Sequence, residues 1–176
     1  QHAEMGRPTL VLACPSCQQV FSKHLPDVEI ISLWELFARE GLPADAARLE
    51  AGYTVSVHDP CTARYETAVQ DSVRQIIERL GGAIEELPLS RERTTCCSYG
   101  GLMVFADREL ARETVARRVA ESPADYVTYC AICRDFFAAQ GKPTLHLLDL
   151  IFGADDSAAG RGPTWSERHE NRARLK

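Results

Sequence analysis

The residues of this chain best equipped for chemistry are its cysteines. Seven stand among 176 residues, about 4%, well below the roughly 8–10% of a disulfide scaffold. Thirty-four residues separate Cys61 from Cys96, thirty-two separate Cys97 from Cys130, and two separate Cys130 from Cys133, so the pattern is Cys-x34-Cys-Cys-x32-Cys-x-x-Cys. A further Cys-x-x-Cys pair, Cys14 and Cys17, lies near the start. The count is odd and the expected compartment is the cytoplasm, where clustered thiols bind metal or do redox chemistry more often than they form structural disulfides. A tetrahedral zinc site takes four ligands. Five thiols exceed that, and adjacent Cys96 and Cys97 do not easily share one small ion, whereas each can reach a different iron of a cluster. Soft thiolates at this density suit iron–sulfur clusters or zinc, not Mg²⁺ or Ca²⁺. Other readings stay open: inert buried thiols, a vicinal Cys96–Cys97 disulfide or dithiol pair, and a thioredoxin-like role for Cys14-Pro15-Ser16-Cys17.

The elements that must position these thiols alternate in type. Strands are expected at 9–13, 28–32, 53–58, 83–87, 126–129 and 144–146, where β-branched and apolar residues run briefly between turn signals. Helices are expected at 16–24, 33–39, 62–80, 107–121 and 131–140, with a final helical turn or two at 147–152. Residues 43–52 read as a connection with room for one helical turn. The long helix carries Tyr65, Val69, Val73, Ile76, Ile77 and Leu80 on one face, Gly81-Gly82 stops it, and Asp107 caps the next. This alternation implies an α/β fold, a mostly parallel sheet with helices on both faces. Cys14, Cys61 and Cys130 each follow a strand, so they should meet at the carboxyl edge, where such sheets keep their functional crevice. Cys17 and Cys133 fall one turn into the following helices, where the helix terminus favours thiolate.

One unit occurs twice. LVLACPSCQQVF (10–21) and YVTYCAICRDFF (126–137) share the layout of strand, Cys-x-x-Cys and helix, and each leads to another strand and an apolar turn. The expected organisation is a lead at 1–8, the end of a first unit at 9–52, a complete cysteine-rich unit at 53–153, and a linker and tail at 154–176. The chain reads as a piece of a longer protein, and Cys14 and Cys17 as a second, incomplete site. The tail, with its arginines, reads as a solvated terminal helix, as disorder, or as a docking segment for a partner.

The remaining features exclude more than they assign. A formal net charge of −5 makes nucleic acid a poor partner. No apolar run approaches the roughly 18–20 residues of a membrane span. The chain holds no Walker motif, phosphate-binding glycine loop or Ser/His/Asp constellation. His58 is a candidate zinc ligand, a donor to a cluster sulfur, or a satisfied strand-end histidine. Asp59 and Asp149 have no nucleophile to serve, and Glu85-Glu86 and Arg91-Glu92-Arg93 read as solvated loop charges.

The segments HDPC (58–61), CCSYGG (96–101) and YCAIC (129–133) resemble the cysteine-rich CCG domain. That domain occurs in the cysteine-rich subunit of heterodisulfide reductase, in the cluster subunit of anaerobic glycerol-3-phosphate dehydrogenase, and in lactate- and glycolate-oxidation iron–sulfur proteins. It also occurs with pyridine nucleotide-disulfide oxidoreductase-like flavoproteins. The resemblance covers residues 9–153, and the tail WSERHENRARLK is similar to the end of such oxidoreductases. It implies a noncubane [4Fe–4S] cluster, or zinc in some members, with Cys61, Cys96, Cys97, Cys130 and Cys133 as ligands. Ser98 stands where the name-giving glycine would, and Gly100-Gly101 is expected to supply the flexible turn. On this reading the chain is an oxidoreductase module, heterodisulfide reductase-like, that passes electrons or reduces a disulfide- or thiol-type substrate, or serves a small-organic-acid pathway. FAD or NAD would sit only on a partner flavoprotein, or the partner would be another iron–sulfur domain or subunit. The alternative is a non-catalytic, zinc-stabilised interaction module.

Overall fold

The computed structural model describes residues 2–153 and 164–175, so the expected linker at 154–163 lies outside the described residues. The first half of the chain gives β1 (Leu10–Leu12), α1 (Pro15–His24), β2 (Ile30–Ser32), α2 (Leu33–Glu40), β3 (Thr54–His58), α3 (Thr67–Arg79) and β4 (Ala83–Ile84). The second gives α4 (Met103–Ala106), α5 (Arg108–Val119), β5 (Asp125–Thr128), α6 (Ala131–Ala138), β6 (Thr144–His146), α7 (Leu147–Phe152) and α8 (Trp165–Arg174). Short 3-10 turns lie at Cys61–Ala63, Arg91–Arg93 and Gly100–Leu102. Every described strand pairing is parallel, as alternating strands and helices require. The described strands form two sheets: β1–β2, and a four-stranded sheet in the order β4-β3-β5-β6.

Period-two alternation sorts the side chains of β3 and β5 between two cores. Val55, Val57, Val127 and Tyr129 pack on one face with Trp34, Val73, Ile77 and Leu147, from α2, α3 and α7. Tyr126 packs on the other with Val115 of α5, Cys133 and Phe137 of α6, and Cys97. Both faces of the central strands are therefore covered. After β3 the chain crosses to β4 on one side, and β5 and β6 lie on the other. The strand order thus reverses between the carboxyl ends of β3 and β5, the place where a crevice opens in such sheets.

Several elements differ from expectation. α3 begins at Thr67, not near 62, because the chain first makes a turn there, held by the Gln70 amide donating to the carbonyls of Ala63 and Arg64 at 2.8 and 2.9 Å. Tyr65 consequently leaves the buried stripe and is 81% exposed. β4 is two residues long, and residues 43–52 form turns without a helix. Their backbone is satisfied by tertiary partners, Ala47 N–H on Ile151 O and Leu49 N–H on Leu80 O.

Candidate metal centre

Cys61 follows β3 and Cys130 follows β5, adjacent strands in which His58 is paired with Thr128. Cys96 and Cys97 arrive on the loop between the 3-10 turns. The five thiols converge. Cys133 Sγ lies 3.3 Å from Cys97 Sγ. Cys96 makes side-chain hydrogen bonds with Cys61 and Cys97, and Cys130 with Cys133. The vicinal pair thus faces two ways, Cys96 toward Cys61 and Cys97 toward Cys133. Cys97 and Cys133 are buried, while Cys61, Cys96 and Cys130 are half-buried. Cys14 and Cys17 are exposed. They hydrogen-bond to each other, which with burial pushes the Cys17 thiol up, and they take no part in the five-thiol contact network. Their helix touches the Cys61 turn through Ser16 Oγ on Thr62 Oγ1, 3.4 Å.

Electrostatics divides the five thiols. Hydrogen bonds from Cys61 and Cys97 lower Cys96 against the opposing effect of burial, with help from the main-chain N–H groups of Ser98 and Gly100. Cys130 falls to about 6 through its bond from Cys133, again against burial, with the Cys133 and Ile132 N–H groups assisting. Cys61 and Cys133 are raised, chiefly by hydrogen bonding to neighbouring sulfurs and then by burial.

The loop that carries the vicinal pair is shaped for sulfur. A Cβ on Gly100 would lie 2.9 Å from Cys96 Sγ and 3.4 Å from Cys61 Sγ, so a side chain there would intrude between the thiols. Ser98 takes φ +81°, and its N–H meets Cys96 Sγ at 3.3 Å. The left-handed backbone that suits glycine therefore falls on Ser98 as well as on Gly101, so Gly100-Gly101 does not relieve it. The Ser98 hydroxyl is buried without a partner.

One carboxylate ties the thiol-bearing segments together. Asp59 is fully buried and accepts from both terminal nitrogens of Arg74 at 3.0 and 2.9 Å. It also accepts from the Arg91 N–H at 2.8 Å and from the Tyr129 hydroxyl at 2.9 Å. The Thr94 hydroxyl donates to the Asp59 carbonyl at 2.6 Å. Burial would raise the Asp59 carboxyl, but Arg74, the Arg91 N–H and Tyr129 overcome it and hold the group below the usual carboxylate range. Asp59 thus joins the Cys61 turn, the loop before Cys96 and the residue before Cys130. Glu86, expected to be a solvated loop charge, binds the same buried Arg74. Sequence reasoning missed Arg74, Thr94 and Tyr129. The available signals were a charged residue beside the α3 apolar stripe and a tyrosine directly before a cysteine. Asp149 serves as a cap, accepting from the His146 N–H while His146 Nδ1 accepts from Leu148.

His58 is fully buried behind the thiols, edge-on to Phe137 at 4.6 Å. Arg118 Nε donates to its Nδ1 at 3.2 Å, so the neutral ring carries its proton on Nε2. That nitrogen is buried with no partner. Desolvation, reinforced by Arg118, lowers the ring to about 3, so it stays uncharged.

Residues 55–137 match the family model of the CCG cysteine-rich domain. This segment is a CCG domain. The CCG family is the heterodisulfide reductase-like cysteine-rich domain and is associated with oxidoreductases. No curated protein matches the chain. The gathered cysteines are consistent with a metal-binding module. Among the described residues no group of three or more His, Cys, Asp or Glu has the spacing of a single-ion site, and no helix is long and apolar enough to cross a membrane.

Proposed function

We propose that the CCG segment is the iron–sulfur module of a cytoplasmic oxidoreductase, with Cys61, Cys96, Cys97, Cys130 and Cys133 holding a [4Fe–4S] cluster of noncubane type. The two-way orientation of Cys96 and Cys97 carries this reading: it matches a multi-iron centre better than one tetrahedral ion. The donor set fits too, being all thiol, with two members already favouring the charged form, main-chain N–H groups aimed at sulfur, and a glycine where a side chain would intrude. A cluster bound there would supply reversible electron transfer, either along a chain of centres or to a disulfide- or thiol-type substrate. The chain's own residues supply the rest. Asp59 and Arg74 fix the spacing of the three segments, and Tyr126 and Phe137 keep water from the inner thiols. His58 Nε2–H, buried and without a partner, would be available as a donor to cluster sulfur. With its proton on Nε2 that nitrogen has no lone pair for zinc, which argues against His58 as a ligand.

Electrons would come from a partner flavoprotein or iron–sulfur domain. The β-Cys-α unit is used twice, Cys14 and Cys17 forming the incomplete copy. The test is anaerobic purification with iron, sulfide and zinc measured per chain alongside the visible spectrum. About four irons and matching sulfide with a reducible spectrum are expected. One tightly held zinc and no redox response would establish the zinc-stabilised interaction module instead.

A further inference from the structure

Beside the cysteines lies a feature that the metal reading does not use. Two adjoining cavities, about 310 and 300 Å³, run between α5, α6 and α8 and share Asp135, Phe136 and Arg168. Volumes of this order suit a small organic molecule. The second cavity adjoins the backbone that carries the thiols, though no cysteine is among its described lining residues. Its lining includes Tyr99, whose N–H reaches Cys97, and Ile132, whose N–H reaches Cys130. The rings of Tyr99 and Phe136 meet edge to face at 5.5 Å and make an aromatic floor.

The walls are cationic. Arg108 and Arg112 stand four apart on α5, and Arg168 and Arg172 stand four apart on α8, all four in the lining. Four is the helical spacing at which like charges face each other and repel. Two such pairs border one groove, on a chain whose net charge is −5. Asp135 is the one carboxylate in either lining, and both Arg134 and Arg168 already bind it. Among the described residues Arg108, Arg112 and Arg172 have no acidic partner, and all three are exposed. Concentrated positive charge over an aromatic floor is complementary to an anion with an apolar body.

We infer that this groove binds a small organic anion, a carboxylate or phosphate on an apolar or aromatic body, beside the cysteine centre. As the substrate class of that centre the inference rests on the oxidoreductase reading, but the binding itself requires no metal. The test is titration of the reduced, metal-free full chain with phenyl phosphate and with phenylacetate, followed by amide NMR, with inorganic phosphate as the anion alone. Saturable shifts at Tyr99, Ile132 and Phe136 are expected with at least one aromatic anion, and several-fold weaker binding of inorganic phosphate. Which aromatic anion binds identifies the head group. The double variant Arg112→Glu/Arg172→Glu, altered only at exposed positions, should bind about tenfold more weakly or worse, and the Lys/Lys double variant should recover part of the loss. Saturation by neither anion, unchanged binding in the Glu variant, or equal binding of inorganic phosphate would overturn the inference. A chain that loads metal but binds neither anion refutes the groove alone. A chain that binds the anion but never loads metal refutes the cluster alone.

Discussion

The two Cys-x-x-Cys pairs stand on nearly the same local frame. In β1–β2 the last strand residue, Leu12, pairs with Ser32, which caps α2; in β5–β6 Thr128 pairs with His146, which caps α7. Each first cysteine comes two residues after its strand and occupies the N-cap of a helix, with similar extended backbone, φ −92° and ψ 118° at Cys14 against φ −132° and ψ 117° at Cys130. Their surroundings differ. Val11 is 46% exposed where its counterpart Val127 is fully buried, and Phe21 is 36% exposed where Phe137 is fully buried. Fully burying a large apolar side chain contributes about 1.5–3 kcal/mol, so the strand and helix around Cys130 are held more firmly than those around Cys14. β5 lies between β3 and β6, whereas β1 has one described neighbour. A Cys-x-x-Cys at a helix start is therefore half of a site. The rest is what neighbouring strands and loops bring to it.

The largest expected effect separates the pairs outright. Cys61→Ser or Cys97→Ser should abolish metal loading, because a hydroxyl does not replace a thiolate at a soft site, while Cys14→Ser should leave metal content unchanged. Metal analysis of the three variants checks this, and an empty Cys14→Ser protein would merge the pairs into one site. Next in size is the clamp. Asp59→Asn leaves Arg74 short of a buried partner and should cost about 3–5 kcal/mol in urea unfolding. Because the Asp59 carboxyl is depressed in the fold, its contribution is complete above the unfolded value of 3.8. It is lost as pH falls through the lower folded value, so the variant should show a flatter acid limb.

Alkylation of the reduced, metal-free chain should reach exposed Cys14 and Cys17 before buried Cys97 and Cys133. Cys97 and Cys133 should react on the order of a hundredfold more slowly, the factor set by an opening free energy of about 3 kcal/mol. Mass spectrometry of quenched samples measures it, and equal rates would erase the contrast between the units. The smallest effect lies in the loop. Ser98→Gly removes a strained backbone position and a buried hydroxyl without a partner, and should raise stability by about 1 kcal/mol. A lower melting temperature would mean that the hydroxyl has a role its present surroundings do not reveal.

Local rules made much of this legible. The strand and helix following the second Cys-x-x-Cys, β6 and α7, have the bounds their apolar pattern predicts, and Asp107 caps α5 as expected. Cysteine spacing singled out the five thiols that converge, and the resemblance to the CCG domain implied them as a ligand set. What stayed hidden is tertiary. Asp59 is 15 residues from Arg74 and 70 from Tyr129, separations that leave no periodic trace. Tyr65 kept helical spacing with the apolar stripe, but the turn holding Cys61 starts the helix after it. The positive φ of Ser98 follows from loop closure around sulfur, and the residue type gives no sign of it.

The Asp59 clamp also sets an order of events. Its partners come from α3, the loop before Cys96 and the residue before Cys130, so it closes only after distant parts of the chain have met. Closing it brings the three thiol-bearing segments together. In zinc fingers the ion orders the chain it binds. Here an ion pair and a buried sheet share that ordering cost with whatever the thiols would hold, so a chain stripped of the clamp would leave the whole of it to the bound group.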